Sequence, residues 1–459
     1  RDSIEILKQA QELTQKADPA GRDKLEVKIL ESIGDAHFAL GGLLDSAEAY
    51  RAAALRAGRS GFRSAQVHAL VRAMFPLGAI DPDQGLTAIS RAFEMSKSVG
   101  DPHLVAYTQM LSTGCHLIFD GWRETEARLY TSAWNTLRDQ GDFAFEPLQQ
   151  MVHGHVLSLF GRYGEALAAF DGCISRVEDP STSLITSFGA LSGKTFALLR
   201  SGKLGELLRL TRAGRESFEE NRTRWWLLSV REAWMRVTVF DYRGAIEICE
   251  PLVAGSDQYR SVQPRAICAM ASGCLAMGEK NFAAAAAWFS EVHQPQVKTK
   301  YFLHWLWQMA AHFELGGLWL EAEDLARAKA VSASFLESAL GTADPYTRSL
   351  AWELSGRVAL AERNFRLARE RIDSALAVLE EYEVPLAAWR VYSTAATIYS
   401  SGTGSKRAGH FLARARQAIS KVADSFDRDE PLRASFLAAG AVRRACGKPP
   451  AARSSPQPA

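Results

Sequence analysis

The chain has 459 residues, 47% of them apolar and 23% charged, and it carries a formal net charge of +2. These values are ordinary for a folded protein, and so small a net charge gives no whole-chain field that would attract nucleic acid. No apolar run approaches the roughly 20 residues that a membrane helix needs. We therefore expect a cytoplasmic chain that binds neither nucleic acid nor membrane. Helical patterning is already present at Ile4 although the first residue is Arg1, so we expect a piece of a longer protein.

One pattern recurs along the chain: an apolar helix, a short turn with Gly, Asp or Asn, a large apolar residue, and an alanine-rich helix containing an aromatic residue. The segments "FGRYGEALAAF" from Phe160 and "GEKNFAAAAAWF" from Gly278 are clear copies. We take the large residue after the turn as the anchor of each repeat. The anchors are Leu43, Leu86, Trp122, Tyr163, Leu204, Tyr242, Phe282, Leu318, Phe365 and, more weakly, Ser405. Their mean spacing of about 40 residues predicts two helices and two turns in each repeat.

Two other positions support this register. Small residues such as Gly34, Gly154 and Gly273 precede their anchors by nine residues, and aromatic residues such as Phe170 and Phe289 follow theirs by seven. Small residues let the two helices of a pair approach, and large ones fill the gap between pairs. Because one pair cannot bury its apolar face alone, the pairs must stack into a single array.

We thus predict an all-α fold, a right-handed α-α superhelix of about ten antiparallel helix pairs. The continuous array is expected to cover residues 1–425, followed by a C-terminal capping helix over residues 426–446. Residues 447–459 are polar and rich in proline, and we expect a disordered tail there.

The segment "GALSGKT", from Gly189 to Thr195, resembles a phosphate-binding loop. Such a loop needs the pattern G-x-x-x-x-G-K-[ST], because its backbone N–H groups must wrap the phosphates. Here Gly193 follows Gly189 one residue too early, and Phe188 stands where the motif requires glycine. Apolar residues also recur at helical spacing through the segment. We predict a helix in which Lys194 is an ordinary surface lysine.

The segment "VTVFD", which ends at Asp241, resembles a strand that carries a magnesium-binding aspartate. Its apolar residues also lie at helical spacing, so we predict the end of a helix. Asp241 then lies in the turn, where its side chain can cap the next helix.

No set of residues has the spacing of a metal or catalytic site. The six cysteines form no C-x-x-C motif and are typical of apolar filling residues in a reducing compartment. His153 and His155 face apart on one helix. His304 and His312 share a face but lie about 12 Å apart along the helix. We expect no catalytic residue, no cofactor and no metal.

Candidate binding residues come from the geometry of a solenoid. If first helices line the concave wall, the residues eight and five before each anchor face the groove. In the middle repeats these include His155, Phe196, Trp234 and Phe313. Aromatic and histidine side chains on a concave wall suit a peptide or small-ligand groove. The alternative is that they only pack one repeat against the next.

An arginine-rich stretch with interleaved glutamates occupies the middle of the chain. Its charges lie at helical pairing distance, so we predict a balanced, solvated face rather than a nucleic-acid patch. The residues are Arg209, Arg212, Arg215, Arg222, Arg224, Arg231, Arg236, Glu206, Glu216, Glu219, Glu220 and Glu232.

The small residue, large turn residue, alanine and aromatic residue of each pair resemble tetratricopeptide repeats. "GDAHFALGGLLDSAEAYRAA" from Gly34 and "GHVLSLFGRYGEALAAF" from Gly154 match best. At about 40 residues instead of the usual 34, the repeats look more like those at the C-terminal end of large bacterial signalling ATPases. Such proteins include activators of the maltose-operon type and regulators that join an ATPase to an adenylate cyclase, a kinase or a winged helix.

The end of the chain carries the most specific match. "EPLRASFLAAGAVRRA" from Glu430 is similar to the Leu-Arg-x-Ser-Phe-Leu tail that follows the last repeat in those proteins. The resemblance implies that the ATPase and output domains lie upstream of Arg1. It also implies that nucleotide binds there and not in this chain.

Two functions remain open. The first is a non-catalytic regulatory module that binds a partner protein, or its own upstream domains, through the concave face. The second is a sensor that binds a small-molecule inducer in an aromatic-lined groove. An enzyme fragment is a third alternative.

Overall fold

A computed structural model describes residues 2–14, 19–140, 147–175, 184–215, 222–254, 258–293, 303–400 and 405–447. All regular structure in these residues is helical. The helices are α1 (Asp2–Leu13), α2 (Pro19–Leu40), α3 (Leu43–Arg59), α4 (Arg63–Ile80), α5 (Pro82–Lys97), α6 (Pro102–Phe119), α7 (Glu124–Asp139), α8 (Pro147–Leu159), α9 (Tyr163–Ile174), α10 (Leu184–Arg200), α11 (Leu204–Arg215), α12 (Arg222–Thr238), α13 (Tyr242–Ala254), α14 (Gln258–Gly278), α15 (Phe282–His293), α16 (His304–Glu321), α17 (Leu325–Leu340), α18 (Pro345–Ala361), α19 (Phe365–Glu381), α20 (Pro385–Ser400), α21 (Ser405–Ala423), α22 (Pro431–Ala438) and α23 (Gly440–Ala445). The predicted tail lies outside the described residues, except for Gly447.

Helices α2 to α21 form ten antiparallel pairs. In each pair an even-numbered first helix packs against the odd-numbered second helix that follows it. First helices also pack against the first helix of the next pair, as α8 does against α10 and α18 against α20. The described chain is therefore an all-α superhelix of stacked, tetratricopeptide-like pairs, and the predicted fold class is confirmed.

Most predicted anchors mark the start of a second helix. Leu86, Trp122 and Leu318 are misplaced, since they lie inside α5, just before α7 and inside α16. Capping explains two of these differences, because the side chains of Asp81 and Asp324 accept backbone N–H groups and fix the starts of α5 and α17. The anchors that are first residues of second helices are Leu43, Tyr163, Leu204, Tyr242, Phe282, Phe365 and Ser405.

In most of the described pairs, the turn between the two helices contains one residue with positive φ; the turn at Asp81, between α4 and α5, has none. Gly161 (φ 76°) and Gly202 (φ 74°) occupy this position in two pairs, where glycine adopts the conformation without strain. Later pairs hold a non-glycine residue there with φ between 59° and 68°. These residues are Phe240, Lys280, Glu323 and Arg363. The recurring conformation ends the first helix and reverses the chain.

Glycines of first helices lie against aromatic rings of second helices. A Cβ built on Gly154 would lie 2.6 Å from Cε1 of Phe170, and one on Gly273 would lie 2.4 Å from Cε1 of Phe289. The Phe170 ring also lies against Gly193 of the next pair. Phe170 therefore fills the gap between pairs, as the sequence predicts, and also the space within its own pair.

Successive turns of the superhelix touch each other. Helix α12 packs against α2, and α14 packs against α4, so that about five pairs complete one turn. Further along, Nε1 of Trp305 in α16 donates a hydrogen bond to the carbonyl of Ile118 in α6 at 3.0 Å. Side chains of the first helices consequently fill much of the space around the superhelical axis.

Two short helices, α22 and α23, follow the last pair where one capping helix is predicted. Phe436 of α22 is completely buried, with its ring centroid 6.3 Å from that of Phe240. The Glu430 carboxylate, which precedes α22, lies 2.8 Å from the guanidinium of Arg212. The segment thus packs on the preceding superhelical turn as well as on α20 and α21.

Candidate functional site

The segment "GALSGKT" lies within α10, as the sequence predicts. Nζ of Lys194 lies 2.7 Å from a carboxylate oxygen of Asp171, and Thr195 is buried. A Cβ on Gly189 would lie 2.1 Å from Sδ of Met151, so this glycine serves helix packing. A continuous helix cannot wrap phosphate as a glycine-rich loop does.

Asp241 has the capping role that the sequence predicts. Its Oδ1 accepts a hydrogen bond from N–H of Gly244 at 3.3 Å in the first turn of α13. Its Oδ2 accepts from Nη1 of Arg236 at 2.6 Å.

The four predicted binding residues are all buried. The exposed fractions are 6% for His155, 1% for Phe196, 9% for Trp234 and 9% for Phe313. They are buried because the turns of the superhelix close on one another and leave no wide concave groove at these positions. That these residues bind a partner or ligand stays a prediction.

The structure brings two of these residues into one aromatic column near the axis. The Trp234 ring lies 6.0 Å from that of Phe196 and 4.4 Å from that of Trp307, which is almost completely buried. His155 lies outside this column, against Phe170 within the α8–α9 pair. Phe313 lies further along the array, in α16.

An open groove lies at the N-terminal end of the superhelix. Its volume is about 740 Å³, and it lies between α2, α4, Tyr107 of α6 and the beginnings of α8 and α10. The exposed side chains of Lys24, Lys28 and Arg63 line it, together with Phe62 and the buried Tyr107. The groove is therefore basic at its edge and partly aromatic inside.

A cluster of charged groups lies along α2 and α4 at this groove. Burial raises the pKa of Glu31 and that of Asp35, and Arg72 opposes both shifts. Burial alone would lower the pKa of Arg72, but the attraction of Glu31 and Asp35 outweighs it and raises that pKa. Nη1 of Arg72 lies 3.3 Å from Asp35, whose other oxygen accepts from the hydroxyl of Tyr50 at 2.7 Å. These contacts hold the wall of the groove in place.

A smaller chamber lies deeper on the axis. Its volume is about 130 Å³, and Phe75 lines both the chamber and the outer groove. Most of its walls are apolar. The apolar and aromatic lining includes Phe38, Met74, Cys115, Ile118, Phe119, Met151, Val152, Phe188, Trp226 and Leu227.

Four polar side chains face this chamber. Arg231 is 2% exposed, and its Nη2 donates to Oγ of Ser192 at 2.9 Å. Burial lowers the pKa of Arg231 to about 9, so its guanidinium is still charged at neutral pH. Burial also lowers the pKa of His155 to about 4, so its neutral ring donates from Nε2 to the carbonyl of Gly189 at 3.1 Å. The fourth is Gln263, which is 4% exposed.

The sequence reasoning misplaced Arg231 and Glu232 on a solvated face. Both are almost completely buried, and Glu232 pairs with Arg215 at 3.1 Å and Arg236 at 2.7 Å. A signal was present, because Arg231 falls on one helical face with the apolar Leu227 and Trp234. The predictions for Arg222, Glu216, Glu219 and Glu220 concern side chains outside the described part of the chain.

Neither a metal site nor a membrane span is present in the described ranges. There, no group of three His, Cys, Asp or Glu residues could hold a metal ion. No helix within the same ranges is long and apolar enough to cross a membrane. The six cysteines form no disulfide.

Comparisons with known proteins identify no family. No protein-family model matches the chain, and no curated protein matches it. Similar solved structures include the APC/C hetero-tetramer Cut9-Hcn1, with 11% identity and a TM-score of 0.44 over 97% of this chain and 95% of that one. Naa15/Naa10 bound to HypK-THB matches with 11% identity and a TM-score of 0.24 over 97% of this chain and 85% of that one. Similarity at this level carries no information about function.

Proposed function

We propose that the chain is a non-catalytic regulatory module that binds an acidic segment of a partner protein, or of its own longer polypeptide, in the basic groove. The groove itself carries this proposal. Its volume of about 740 Å³ lies within the range of about 300–1,000 Å³ that is usual for ligand sites. A stacked array also presents a continuous surface of the kind that binding proteins use.

The charges at the groove edge favour an acidic occupant. Lys24 and Lys28 are one helical turn apart on α2, so they project on the same side of that helix. Arg63 begins α4 across the groove, and all three side chains are exposed. Phe62 and Phe75 add apolar contact for a hydrophobic side chain within such a segment.

The proposal includes the wider context that the sequence suggests. In that context the acidic segment belongs to a signalling ATPase or its output domain, and occupation of the groove changes the activity of that domain. The segment from Leu432 to Leu437 supports this context, because it resembles the tail that follows the last repeat in such signalling proteins. The buried Phe436 fits a segment whose sequence is constrained by packing.

The test uses fluorescence anisotropy with labelled peptides of about a dozen residues in which Glu and Asp alternate with Phe and Leu. Wild-type protein is expected to bind them, with an affinity that falls as salt is raised. Peptides with Gln and Asn in place of the acids should bind much more weakly. The triple variant Lys24→Glu, Lys28→Glu, Arg63→Glu should lose binding.

A matched control reverses the charge of three exposed arginines that lie on second helices, away from the groove. The changes are Arg51→Glu, Arg91→Glu and Arg366→Glu. This control has the same change in net charge and should bind the acidic peptides almost as the wild type does. Equal binding by the groove variant and the wild type, or no preference for acidic over neutral peptides, would contradict the proposal.

A further inference from the structure

Two cysteine side chains meet at the junction between the sixth and the seventh helix pair. Cys249 lies in α13, the second helix of one pair, and Cys268 lies in α14, the first helix of the next. The two helices pack against each other. The thiol of Cys249 donates a hydrogen bond to the sulfur of Cys268, so the two sulfur atoms are neighbours across this interface.

The two cysteines differ in their exposure to solvent. Cys249 is completely buried, whereas Cys268 is partly exposed. A reagent that arrives from solvent therefore meets Cys268 first. Cys249 is held against it from inside the protein, where such a reagent does not reach.

The hydrogen bond also makes Cys268 the more reactive of the two. It stabilises the thiolate and lowers the pKa of Cys268, although burial and the nearby Glu250 oppose this shift. The same hydrogen bond, together with burial, raises the pKa of Cys249. The thiolate is the form of cysteine that attacks oxidants and electrophiles. An accessible cysteine of lowered pKa beside a second thiol is the arrangement that is typical of redox-sensing cysteines.

The other four cysteines lack this combination. Burial raises the pKa of Cys115 to about 12 and that of Cys274 well above its ordinary value. Cys173 is buried and donates to the carbonyl of Pro147 at 3.1 Å. Cys446 is partly exposed, but within the described part of the chain it has no second thiol as a hydrogen-bond partner.

Both helices can adjust their backbone near the two thiols. Pro251 lies two residues after Cys249 inside α13, and Pro264 lies four residues before Cys268 inside α14. Because proline has no backbone N–H, each helix lacks one internal hydrogen bond close to its cysteine. A disulfide needs its two Cα atoms about 4.4–6.8 Å apart, and a helix with such a gap bends more easily to reach that separation.

We propose that Cys268 is an oxidation site and forms a reversible disulfide with Cys249 when the protein meets a hydroperoxide such as hydrogen peroxide. The thiolate of Cys268 attacks one peroxide oxygen and becomes a sulfenic acid, while the other oxygen leaves as hydroxide. The sulfur of Cys249 then attacks the sulfur of Cys268, gives up its proton and expels water. Two thiols are thus oxidised to one disulfide, and one hydrogen peroxide is reduced to two waters.

The disulfide joins two neighbouring pairs of the array. It fastens α13 to α14 close to the place where α12 packs on α2 and α14 packs on α4 of the preceding superhelical turn. A dithiol reductant restores both thiols by thiol–disulfide exchange. Neither cysteine lines the basic groove, so this oxidation is independent of the proposed function.

The test treats the whole chain with hydrogen peroxide at neutral pH, blocks the remaining thiols with iodoacetamide and maps the peptides by mass spectrometry without reduction. A cross-linked peptide that contains Cys249 and Cys268 is expected, and dithiothreitol added before the block should abolish it. Absence of this peptide, or equal amounts of disulfides between other cysteines, would overturn the proposal.

Two variants assign the roles of the two thiols. Cys249→Ser keeps a hydrogen-bond donor but removes the resolving thiol, so the disulfide should be lost and a dimedone probe should label the sulfenic acid of Cys268 more strongly than in the wild type. Cys268→Ser should lose the disulfide and leave Cys249 unlabelled, because Cys249 is buried. Labelling of Cys249 as strong as that of Cys268 would refute these roles.

Cys446→Ser is the matched control, since it removes a partly exposed cysteine outside the pair. This variant should form the same cross-linked peptide as the wild type, in the same yield. Loss of that peptide in the control would show that the oxidation does not belong to the two cysteines of α13 and α14.

Discussion

The indole of Trp305 and the carbonyl of Ile118 form a hydrogen bond of 3.0 Å across 187 residues of chain. Trp305 is 6% exposed, and its ring also packs on Gly121, which has φ 104°. The contact joins α16 to the end of α6 and so fastens one superhelical turn to the next. It is a feature of the closed superhelix rather than of any single repeat.

Trp305→Phe should lower the free energy of unfolding by about 1–3 kcal/mol, because the buried carbonyl of Ile118 loses its donor. Urea unfolding followed by circular dichroism measures this change. Trp288→Phe is the control, since Trp288 is 41% exposed and its replacement should change stability by less than about 0.5 kcal/mol. Equal effects of the two changes would mean that the contact between turns adds little.

Gly154→Ala should destabilise the fold by about 1–3 kcal/mol, since the new Cβ would overlap the ring of Phe170. Gly164→Ala is the matched control. Gly164 lies in α9 with no heavy atom within 4 Å of a Cβ, so alanine should be neutral or stabilising by up to about 1 kcal/mol. Thermal or urea unfolding of both variants checks the sign of each change. A neutral Gly154→Ala would show that the ring can move aside.

The pairing of helices could be predicted because it is local. Gly154 and Phe170 belong to one repeat, and the same small and large residues recur at a fixed spacing along the sequence. Asp241 could be assigned as a cap for the same reason, since its partner Gly244 is three residues away. Short-range patterns of this kind are what sequence periodicity records.

The closure of the superhelix could not be predicted in the same way. Contacts such as that of Trp305 with Ile118 depend on small rotations that add up over about five repeats. An open concave wall was therefore expected at Phe196 and Trp234, where the structure has a packed interior. The same closure explains why Arg231 is buried, although its neighbours in sequence are charged.

The stability of the chain should depend on pH through His155. Burial lowers its pKa in the folded protein to about 4, from an ordinary value of 6.5. Between these values the unfolded chain binds more protons than the folded one, so stability falls as pH falls from about 6.5 to about 4. Above about pH 7 both states are neutral at this residue and its contribution is constant.

Comparison with His155→Gln isolates this effect from other titrating groups. Relative to that variant, the wild type should lose up to about 1.4 kcal/mol of unfolding free energy per pH unit within this window. Urea unfolding of both proteins at several pH values from 4 to 8 measures the difference. A difference that does not change with pH would show that His155 is protonated equally easily in both states.

The buried pair of Arg200 and Asp344 is the last contact between turns for which we predict an effect. Nη2 of Arg200 lies 3.7 Å from Oδ2 of Asp344, and the two side chains are 7% and 0% exposed. The same oxygen of Asp344 caps α18 by accepting from N–H of Thr347 at 3.1 Å. Asp344→Ala should therefore cost about 3–5 kcal/mol, because it leaves a buried guanidinium without its carboxylate.

Asp324→Ala is the matched control for the loss of the cap. Asp324 caps α17 through N–H of Arg327 at 2.9 Å, but it lies near the surface and holds no buried cation, so its loss should lower the free energy of unfolding much less than the loss of Asp344 does. The double variant Arg200→Met, Asp344→Ala should recover part of the stability that Asp344→Ala loses, since the unpaired charge is gone. Urea unfolding of the wild type, Arg200→Met, Asp344→Ala and the double variant gives the coupling energy of the pair. A double variant that is as unstable as the sum of its single changes would show that the two side chains do not act as a pair.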